Sequence, residues 1–403
     1  MHPEIQQQLD ASGQARALVV LHHKHGPVTG GDRPILGHFT RREGADLAAG
    51  AAGGPVYLKR LELVIGYVDP AGAQDLDARD DVREVHPPAQ LELVAPTASV
   101  PATPAPGLGL DWGLEAIGIP DLWSQGLTGK GVGVAHLDTG VDATHPALAG
   151  RVVAFVEFDN QGNPIPGKQA YDSGTHGTHT AGTIAGNEIN GYKIGVAPDA
   201  DLHCSRVIEY PDPLVQILAG MDWALGQGVR VLSSSLGVKG YNPFLVTVMD
   251  RLRAGGILPI VAIGNEGAAP GHPTRSPANY PNSIAVGAVD NDGQVAYFSS
   301  YGPANGGPVK PDVVAPGLGI TSAVPGGGAE IMDGSSMATP HVAGLAALLF
   351  QRKPDATVDE VEAAILSTAT ACPGDPQKFG HGLVHGPAAL AQLLEGPGKA
   401  APT

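Results

Sequence analysis

Three residues of different types lie in local sequences that could serve the chemistry of a hydroxyl nucleophile. Asp138 ends an apolar run, and Thr139-Gly140 follows where the chain must turn. His176 begins HGTHTAGTIAG, whose small residues favour a closely packed helix, and Ser336 lies in DGSSMATPHVAG, where a turn enters an apolar helix. A carboxylate, an imidazole titrating near neutral pH and a serine at a helix start are the groups that acyl transfer requires. We interpret them as a candidate catalytic triad.

Each of these residues also has a purely structural interpretation. A buried Asp can satisfy backbone N–H groups, and a serine before a helix commonly caps it. His179, one turn after His176, is assigned to packing or to contacts behind the site. Two histidines at this spacing could suggest a metal site, but neither an HExxH pattern nor a neighbouring cysteine pair accompanies them.

A second acidic motif raises the alternative of an aspartic protease. Asp172-Ser173-Gly174 resembles the Asp138-Thr139-Gly140 motif, and such enzymes use two carboxylates that share a proton. Those carboxylates belong to β-rich lobes, whereas these two copies lie close together in a chain patterned as α/β. The sequence therefore disfavours this alternative.

Asn265 is the candidate for stabilising negative charge on a reacting carbonyl oxygen. It follows an apolar run over residues 257–263 and lies within GNEG. Its amide could donate to a developing oxyanion, although an Asn that simply forms a turn is the competing interpretation. In the helix after Ser336, Pro340 is expected in the first turn, where no intrahelical N–H bond is lost.

Apolar runs that alternate with helical patterns predict the elements that must position these residues. Strands are predicted over residues 131–137, 200–207, 229–234, 257–263 and 284–288, and helices over 178–186, 214–226, 243–254, 337–351 and 358–368. The last helix begins with Thr357 and carries Glu360 three residues on, which is a capping box. This alternation predicts an α/β fold with a parallel sheet.

A change of composition divides the chain. Residues 95–109 are rich in Pro, Ala, Thr and Ser and are interpreted as a linker. Upstream, strands over 17–21, 56–68 and 85–94, with helices over 44–52 and 71–82, predict a small α+β domain of residues 1–94. Residues 110–403 then form the larger, second domain.

Charge and cysteine content restrict the classes of partner and the setting. A formal charge of −16 over 403 residues disfavours nucleic acid and anionic membranes as partners. Only Cys204 and Cys372 occur, and they are expected to be reduced thiols. The N-terminal sequence shows neither a basic region nor an apolar core of an export signal, so a cytoplasmic location is expected. Secretion by a route not evident in the sequence is the alternative. The protein is also expected to be a monomer.

Taken together, DTG at Asp138, HGTH at His176, GNEG at Asn265 and GSSMATPHVAG around Ser336 resemble the four signature blocks of the subtilase family, in the family's order. The order Asp, His, Ser is that of subtilisin. The resemblance implies that Asp138 orients the imidazole, His176 acts as base and then acid, and Ser336 is the nucleophile. It also implies an oxyanion hole formed by Asn265 and the Ser336 N–H. Ser335 stands where Thr is common in the family.

The same resemblance extends to substrate binding. Ser235-Leu236-Gly237 is similar to the strand on which subtilases bind an extended peptide, and Gly264 is expected near the pocket for the residue before the scissile bond. Leu236 as an ordinary core residue is the alternative. The implied reaction is hydrolysis of peptide bonds in proteins and peptides by a serine endopeptidase. A noncatalytic protein that retains the scaffold is the rival from another class.

Residues 1–94 are similar in pattern to the propeptide domains of subtilases. This similarity implies an autoprocessed zymogen in which the N-terminal domain is an intramolecular inhibitor and folding aid, with a maturation site within or beside residues 95–109. A permanent regulatory or partner-binding domain is the alternative. No cofactor is expected for the chemistry. Structural calcium is allowed, although the usual strong site is not evident, because Ala147 stands in HPAL where subtilisins often carry Asp.

Overall fold

The N-terminal region is a four-stranded antiparallel sheet with two helices. A computed structural model describes residues 1–22, 34–40, 54–103, 109–208, 213–267, 269, 274–303 and 308–395. The first elements are α1 (Pro3–Ser12), β1 (Ala15–Leu21), β2 (Val56–Leu58), β3 (Leu63–Val68), α2 (Pro70–Asp77) and β4 (Val82–His86). The strand order is β2-β3-β1-β4, with β1 antiparallel to both of its neighbours. The predicted α+β character of this region is confirmed.

Several predicted bounds in this region differ from the structure. The strand predicted over 56–68 is two strands, because the chain turns between them and Glu62 adopts a positive φ of 45°. Helix α1 was not predicted, and α2 ends at Asp77, before the predicted 82. The helix predicted over 44–52 lies outside the described residues.

The remaining elements follow in chain order. They are β5 (Glu92–Leu93), β6 (Ala98–Ala102), β7 (Gly109–Leu110), α3 (Trp112–Ala116), α4 (Ile119–Ser124), β8 (Gly133–Asp138), β9 (Val152–Glu157), α5 (His176–Ala185), β10 (Glu188–Ile189), β11 (Tyr192–Lys193), β12 (Asp201–Arg206), α6 (Leu214–Ala224), β13 (Val231–Ser234), β14 (Leu236–Lys239), α7 (Val246–Ala254), β15 (Leu258–Ala262), β16 (Arg275–Ser276), β17 (Ile284–Val289), β18 (Gly302–Pro303), β19 (Val309–Lys310), β20 (Val313–Pro316), β21 (Ile320–Val324), β22 (Gly328–Asp333), α8 (Ser335–Arg352), α9 (Val358–Ser367) and α10 (Gly386–Glu395).

A seven-stranded sheet in the order β20-β17-β15-β13-β8-β12-β9 forms the centre of the second domain. Every pairing within it is parallel. Strands β13, β15 and β17 are buried along their whole length, as expected where helices cover both faces of a sheet. The predicted α/β fold with a parallel sheet is confirmed. Because parallel strands end at one edge, β8, β13 and β15 deliver the residues that follow them to the same region.

The segment predicted as a linker contains a strand. Within residues 95–109, β6 pairs antiparallel with β22, and β22 in turn pairs with β21. Just before it, β5 pairs antiparallel with β14. The edges of β14 and β22 carry backbone groups that need partners, and this segment supplies them despite its composition.

The N-terminal sheet packs against α6 and α7 of the second domain. Leu18, Val20 and Ile65 belong to the same buried apolar cluster as Leu218 and Val248. At the edge of this contact, Asp222 accepts hydrogen bonds from the backbone N–H of Arg60 at 2.6 Å and of Leu61 at 2.8 Å. Arg251 donates to the carbonyl oxygens of Leu21 and Leu61. The two domains therefore share both an apolar core and buried polar contacts.

Two further observations bear on the sequence-based expectations. Cys204 and Cys372 are both buried free thiols, as predicted. Among the residues that the structure describes, no helix is long and apolar enough to cross a membrane.

Candidate active site

Asp138 and His176 form a buried pair at the start of α5. Asp138 is the last residue of β8 and His176 the first of α5, and the His176 Nδ1 lies 2.7 Å from the Asp138 Oδ1. Burial alone would raise the pKa of Asp138, but the charge and hydrogen bond of His176 outweigh it and hold that pKa below its usual range. The ionised carboxylate thus fixes the orientation of the imidazole ring.

The other oxygen of Asp138 is held by residues that the sequence did not single out for chemistry. The Thr180 hydroxyl lies 3.2 Å from the Asp138 Oδ2 and 2.8 Å from the His136 Nε2. His136 is fully buried, and burial lowers its pKa, so it stays neutral. A signal for His136 existed in the sequence, because residues two apart on a strand share a face and His136 precedes Asp138 by two.

Asp172, from the second acidic motif, has a structural role beside the pair. Its carboxylate accepts hydrogen bonds from the Thr139 hydroxyl at 2.6 Å, the Thr178 hydroxyl at 2.6 Å and the Thr178 N–H at 2.7 Å. These donors occupy both oxygens and join the turn after β8 to the first turn of α5. The carboxylate therefore positions His176 through the backbone, which differs from the shared proton of an aspartic protease.

Ser336 lies in the first turn of α8, which packs against α5. Gly334 precedes the helix, and a Cβ at that position would lie 2.8 Å from the Ser336 Oγ and 3.2 Å from the Asn265 Nδ2. The serine hydroxyl and the amide therefore converge on one small space that only a glycine leaves open. N–H groups in the first helical turn have no intrahelical partner and favour negative charge.

The expectation that Pro340 lies in the first turn of this helix is wrong. Helix α8 begins at Ser335, so Pro340 is in its second turn and removes a bond to the Ser336 carbonyl. That carbonyl instead accepts from the Ser235 hydroxyl at 3.5 Å. The hydroxyl thus partly replaces the bond that the proline removes.

The side-chain oxygen of Asn265 is held in place, and its amide nitrogen points to Ala95 of the chain's own segment. Its Oδ1 accepts from both the backbone N–H and the hydroxyl of Ser335, each at 2.8 Å. With the oxygen fixed, the Nδ2 donates to the Ala95 carbonyl oxygen at 2.8 Å. The hydroxyl of Ser335, which stands in place of the commoner Thr, therefore helps to position the Asn265 amide.

The predicted substrate strand pairs with the chain's own segment. Leu236 and Gly237 of β14 face Leu93 and Glu92 in antiparallel register. The Val94 N–H continues this ladder by donating to the Ser235 carbonyl at 2.8 Å. Leu236 also contributes its side chain to a buried apolar cluster, so its interpretation as a core residue applies. Its role in substrate binding stays a prediction.

Gly264 lies beside an ion pair that the sequence did not predict. Its φ is +120°, and a Cβ there would lie 2.5 Å from the Glu266 Oε2. Arg275 is buried, and its Nε donates to the Glu266 Oε1 at 2.9 Å. Burial alone would raise the pKa of Glu266, but the hydrogen bond and charge of Arg275, with the charge of Lys239 and a hydrogen bond from Ser300, together outweigh it and lower that pKa. The Arg275 Nη1 also lies 3.7 Å from the Glu92 Oε2.

His179 contacts backbone carbonyls instead of reacting groups. Its Nε2 lies 3.1 Å from the Ile320 oxygen and 3.2 Å from the Glu330 oxygen. Burial lowers the pKa of His179 to about 3, which leaves the imidazole neutral at ordinary pH. It therefore joins α5 to β21 and β22, in line with the packing role assigned from the sequence.

Across the described ranges, no group of three or more His, Cys, Asp or Glu side chains is arranged to hold a metal ion. Calcium can also be bound by carbonyl oxygens and water. The expectations that chemistry needs no cofactor and that a strong calcium site is lacking at Ala147 remain predictions.

The comparisons with known proteins agree with the fold. Residues 129–382 match the model of the subtilase family. The chain is 40% identical over 278 residues to subtilisin NAT of Bacillus subtilis subsp. natto, covering 68% of this chain and 69% of that protein. It is equally identical to subtilisin of Bacillus pumilus, covering 96% of that protein. Alkaline elastase YaB of Bacillus sp. (strain YaB) is 35% identical over 325 residues, covering 79% of each chain.

A serine at a helix start, a buried Asp–His pair and a strand edge that pairs with extended backbone are the features expected of a serine peptidase on a parallel α/β sheet. The chain belongs to the subtilase family and is a subtilisin-like serine endopeptidase. The roles assigned to its individual residues stay predictions.

Proposed function

We propose that this endopeptidase is made as an autoprocessed zymogen whose N-terminal domain inhibits it until cleavage. The observation that carries the proposal is the path of residues 92–102. Residues 92 and 93 pair with β14 on one side of Asn265, and residues 98–102 pair with β22 on the other. Between these two pairings, the Ala95 carbonyl accepts a hydrogen bond from the Asn265 amide. A groove that accepts backbone on both sides of the reacting carbonyl suits internal peptide bonds of proteins and peptides.

In the proposed reaction, His176 takes the proton of the Ser336 hydroxyl while its oxygen attacks the substrate carbonyl. Asp138 holds the ring and stabilises the imidazolium that forms. Asn265 and the Ser336 N–H bind the oxyanion, and His176 then protonates the departing amine. Water hydrolyses the acyl-enzyme by the reverse sequence. Ser235, Leu236 and Gly237 bind the substrate backbone, and Gly264 lies near the pocket for the residue before the scissile bond.

The N-terminal domain is proposed as an inhibitor because its attached segment fills this groove. The elastase match covers a larger share of the chain than residues 110–403 alone contain, so it extends upstream of the peptidase domain. The mature enzyme is proposed as a monomer. A cytoplasmic location finds no support in the comparisons, and the matched subtilisins fit the alternative of secretion better.

Labelling by a fluorophosphonate, followed by intact mass measurement, tests the proposal. Wild-type protein should lose residues of its N-terminal domain with time and carry one phosphonyl group on Ser336, because only an activated serine attacks the probe. Ser336→Ala should keep the full mass and remain unlabelled.

Ser335→Thr is the matched control, since it keeps a hydroxyl beside Asn265 and leaves Ser336 in place. It should be processed and labelled like wild type. If wild type and Ser336→Ala stay equally intact and unlabelled, the chain is a noncatalytic scaffold. If wild type is labelled but never shortened, the N-terminal domain is a permanent regulatory domain.

A further inference from the structure

The segment that crosses the active site is fixed on both sides of a two-residue span. On one side, the Val94 N–H donates to Ser235 and β5 pairs with β14. On the other, the Thr97 N–H donates to the Asp333 carbonyl at 2.7 Å, and all five residues of β6 pair with β22. Ala95 and Pro96 are the residues between these two ladders. The register of the crossing is therefore set from both directions.

The carbonyl that reaches the oxyanion donor identifies the bond that faces the nucleophile. The Asn265 Nδ2 donates to the Ala95 oxygen, and the Ser336 Oγ converges with that Nδ2 beside Gly334. Because the oxyanion forms on the attacked carbonyl, the geometry points to Ala95–Pro96 as the bond presented for self-cleavage. We infer that Pro96 slows this cut, so that the precursor persists as a self-inhibited enzyme. The inference rests on the zymogen function proposed above.

The chemical reason lies in the departing nitrogen. Attack of the Ser336 oxygen forms a C–O bond at the Ala95 carbonyl carbon, and the hydroxyl proton passes to His176. The C–N bond to Pro96 breaks only when that nitrogen receives the proton. The nitrogen of a proline carries ring carbon Cδ where other residues carry hydrogen, and its φ is fixed. The ring crowds the approach of the imidazole, whereas an ordinary residue would leave it open.

The neighbouring bond is the competing candidate. Val94 is 1% exposed, whereas Ala95 is exposed, so the buried residue directly precedes the one whose carbonyl is held by Asn265. Bringing the Val94 carbonyl to Asn265 would require a one-residue slip. That slip would break the Thr97 bond and the ladder of β6, because hydrogen-bonding partners on a strand do not survive a shift of one residue.

Full-length chains made by cell-free synthesis allow precursor loss to be followed from time zero by mass spectrometry. Pro96→Ala should lose its precursor about a hundredfold faster than wild type, in the range that effective proton transfer contributes. The new products should end at Ala95 and begin at residue 96. Pro96→Ser restores the same N–H with another side chain and should behave alike. Circular dichroism checks that each variant folds.

Pro101→Ala is the matched control, because Pro101 lies on the same segment, is exposed and pairs with Glu330 away from Ser336. It should process at the wild-type rate. Equal rates for wild type, Pro96→Ala and Pro96→Ser overturn the inference, as does a cut between Val94 and Ala95. Hydrolysis of an added peptide distinguishes failure of this inference from failure of the zymogen proposal. If the enzyme hydrolyses the peptide but the three precursors disappear at equal rates, only the role of Pro96 is rejected. Absence of both hydrolysis and fluorophosphonate labelling overturns the zymogen function itself.

Discussion

Thr180 is the residue through which the environment of Asp138 can be tested without removing a reacting group. Its hydroxyl lies between the Asp138 Oδ2 and the His136 Nε2, while His176 holds the other carboxylate oxygen. A hydrogen bond to a charged group contributes about 1.5–3 kcal/mol. Thr180 is therefore a positioning residue. Its hydroxyl binds one oxygen of the Asp138 carboxylate and His176 binds the other, so the two share the carboxylate's hydrogen-bonding capacity.

Thr180→Val should lower kcat about tenfold, since each 1.4 kcal/mol of lost stabilisation is a factor of ten. The acid limb of the kcat/KM profile should also move to higher pH. Without the hydroxyl, the carboxylate interacts more strongly with protonated His176 and favours its charged form. The measurement is a pH profile with a peptide substrate.

Thr183→Val is the control for this change. Thr183 lies on the same helix and is equally buried, but its hydroxyl donates to the His179 carbonyl at 3.1 Å. Its profile should keep the wild-type position. A Thr180→Val profile that coincides with wild type would show that the hydroxyl only packs.

At this scale, residue type and local pattern predicted part of the site. Asp138 and His176 could be selected because the first ends a strand and the second begins a helix, and Asn265 because it closely follows a strand run. Arg275 could not, because its pairing with Glu266 depends on the path by which the chain brings β16 back to the residues that follow β15. The role proposed for Pro96 could not be predicted either, because nothing near it in the sequence indicates which bond faces Ser336.

The turn before α8 is the element on which the nucleophile depends. Gly334→Ala should lower kcat by about 10² or more, the usual effect of losing one oxyanion donor. The added Cβ would press on the Ser336 Oγ and the Asn265 Nδ2, so both must shift. Hydrolysis of a peptide ester by the mature enzyme measures the effect.

Gly328→Ala provides the comparison, because the nearest atom to its Cβ is a Val324 side-chain methyl at 3.3 Å. This variant should keep most of its activity. If Gly334→Ala matched it, the close approach around Gly334 would have no bearing on catalysis.

Element prediction worked where the signal was local. Apolar runs identified the central strands, and the capping box of Thr357 and Glu360 is present in α9 as predicted. Strand β6 could not be predicted, because its Pro- and Ala-rich sequence has no strand pattern and its partner β22 lies far along the chain. The position of Pro340 was wrong because the helix begins one residue before the nucleophile.

For the whole molecule, the contact between the two domains can be tested for its effect on access to Ser336. Asp222→Ala should increase the rate of fluorophosphonate labelling of the uncut chain about tenfold. It leaves the Arg60 and Leu61 N–H groups without their acceptor, at a cost of about 1–3 kcal/mol. The initial labelling rate of full-length protein is the measurement.

Asp250→Ala is the corresponding control on α7, where Asp250 accepts from Asn282 within the peptidase domain. Its labelling rate should equal that of wild type. Equal rates for both variants would mean that the polar contacts do not hold the N-terminal domain in place.

The sequence predicted two domains but not how they meet. An amphipathic sheet has one apolar face to bury, and helices α6 and α7 offer an apolar surface, yet many pairings of such surfaces satisfy the same pattern. The choice depends on contacts such as those of Asp222 and Arg251 with backbone atoms of the other domain. The local sequence does not predict such contacts.

The pairing of β6 with β22 has a consequence for the step that follows the proposed self-cleavage after Ala95. If the chain is cut after Ala95 as proposed, the five paired residues of β6 would keep the new amino terminus at Pro96 beside the acyl group on Ser336. A tethered group acts at an effective concentration of about millimolar, so this amine competes with water for the acyl-enzyme. Ligation can then restore the broken bond. Activation would then become irreversible only when β6 dissociates from β22, so the last step of activation would be a strand dissociation in addition to bond cleavage.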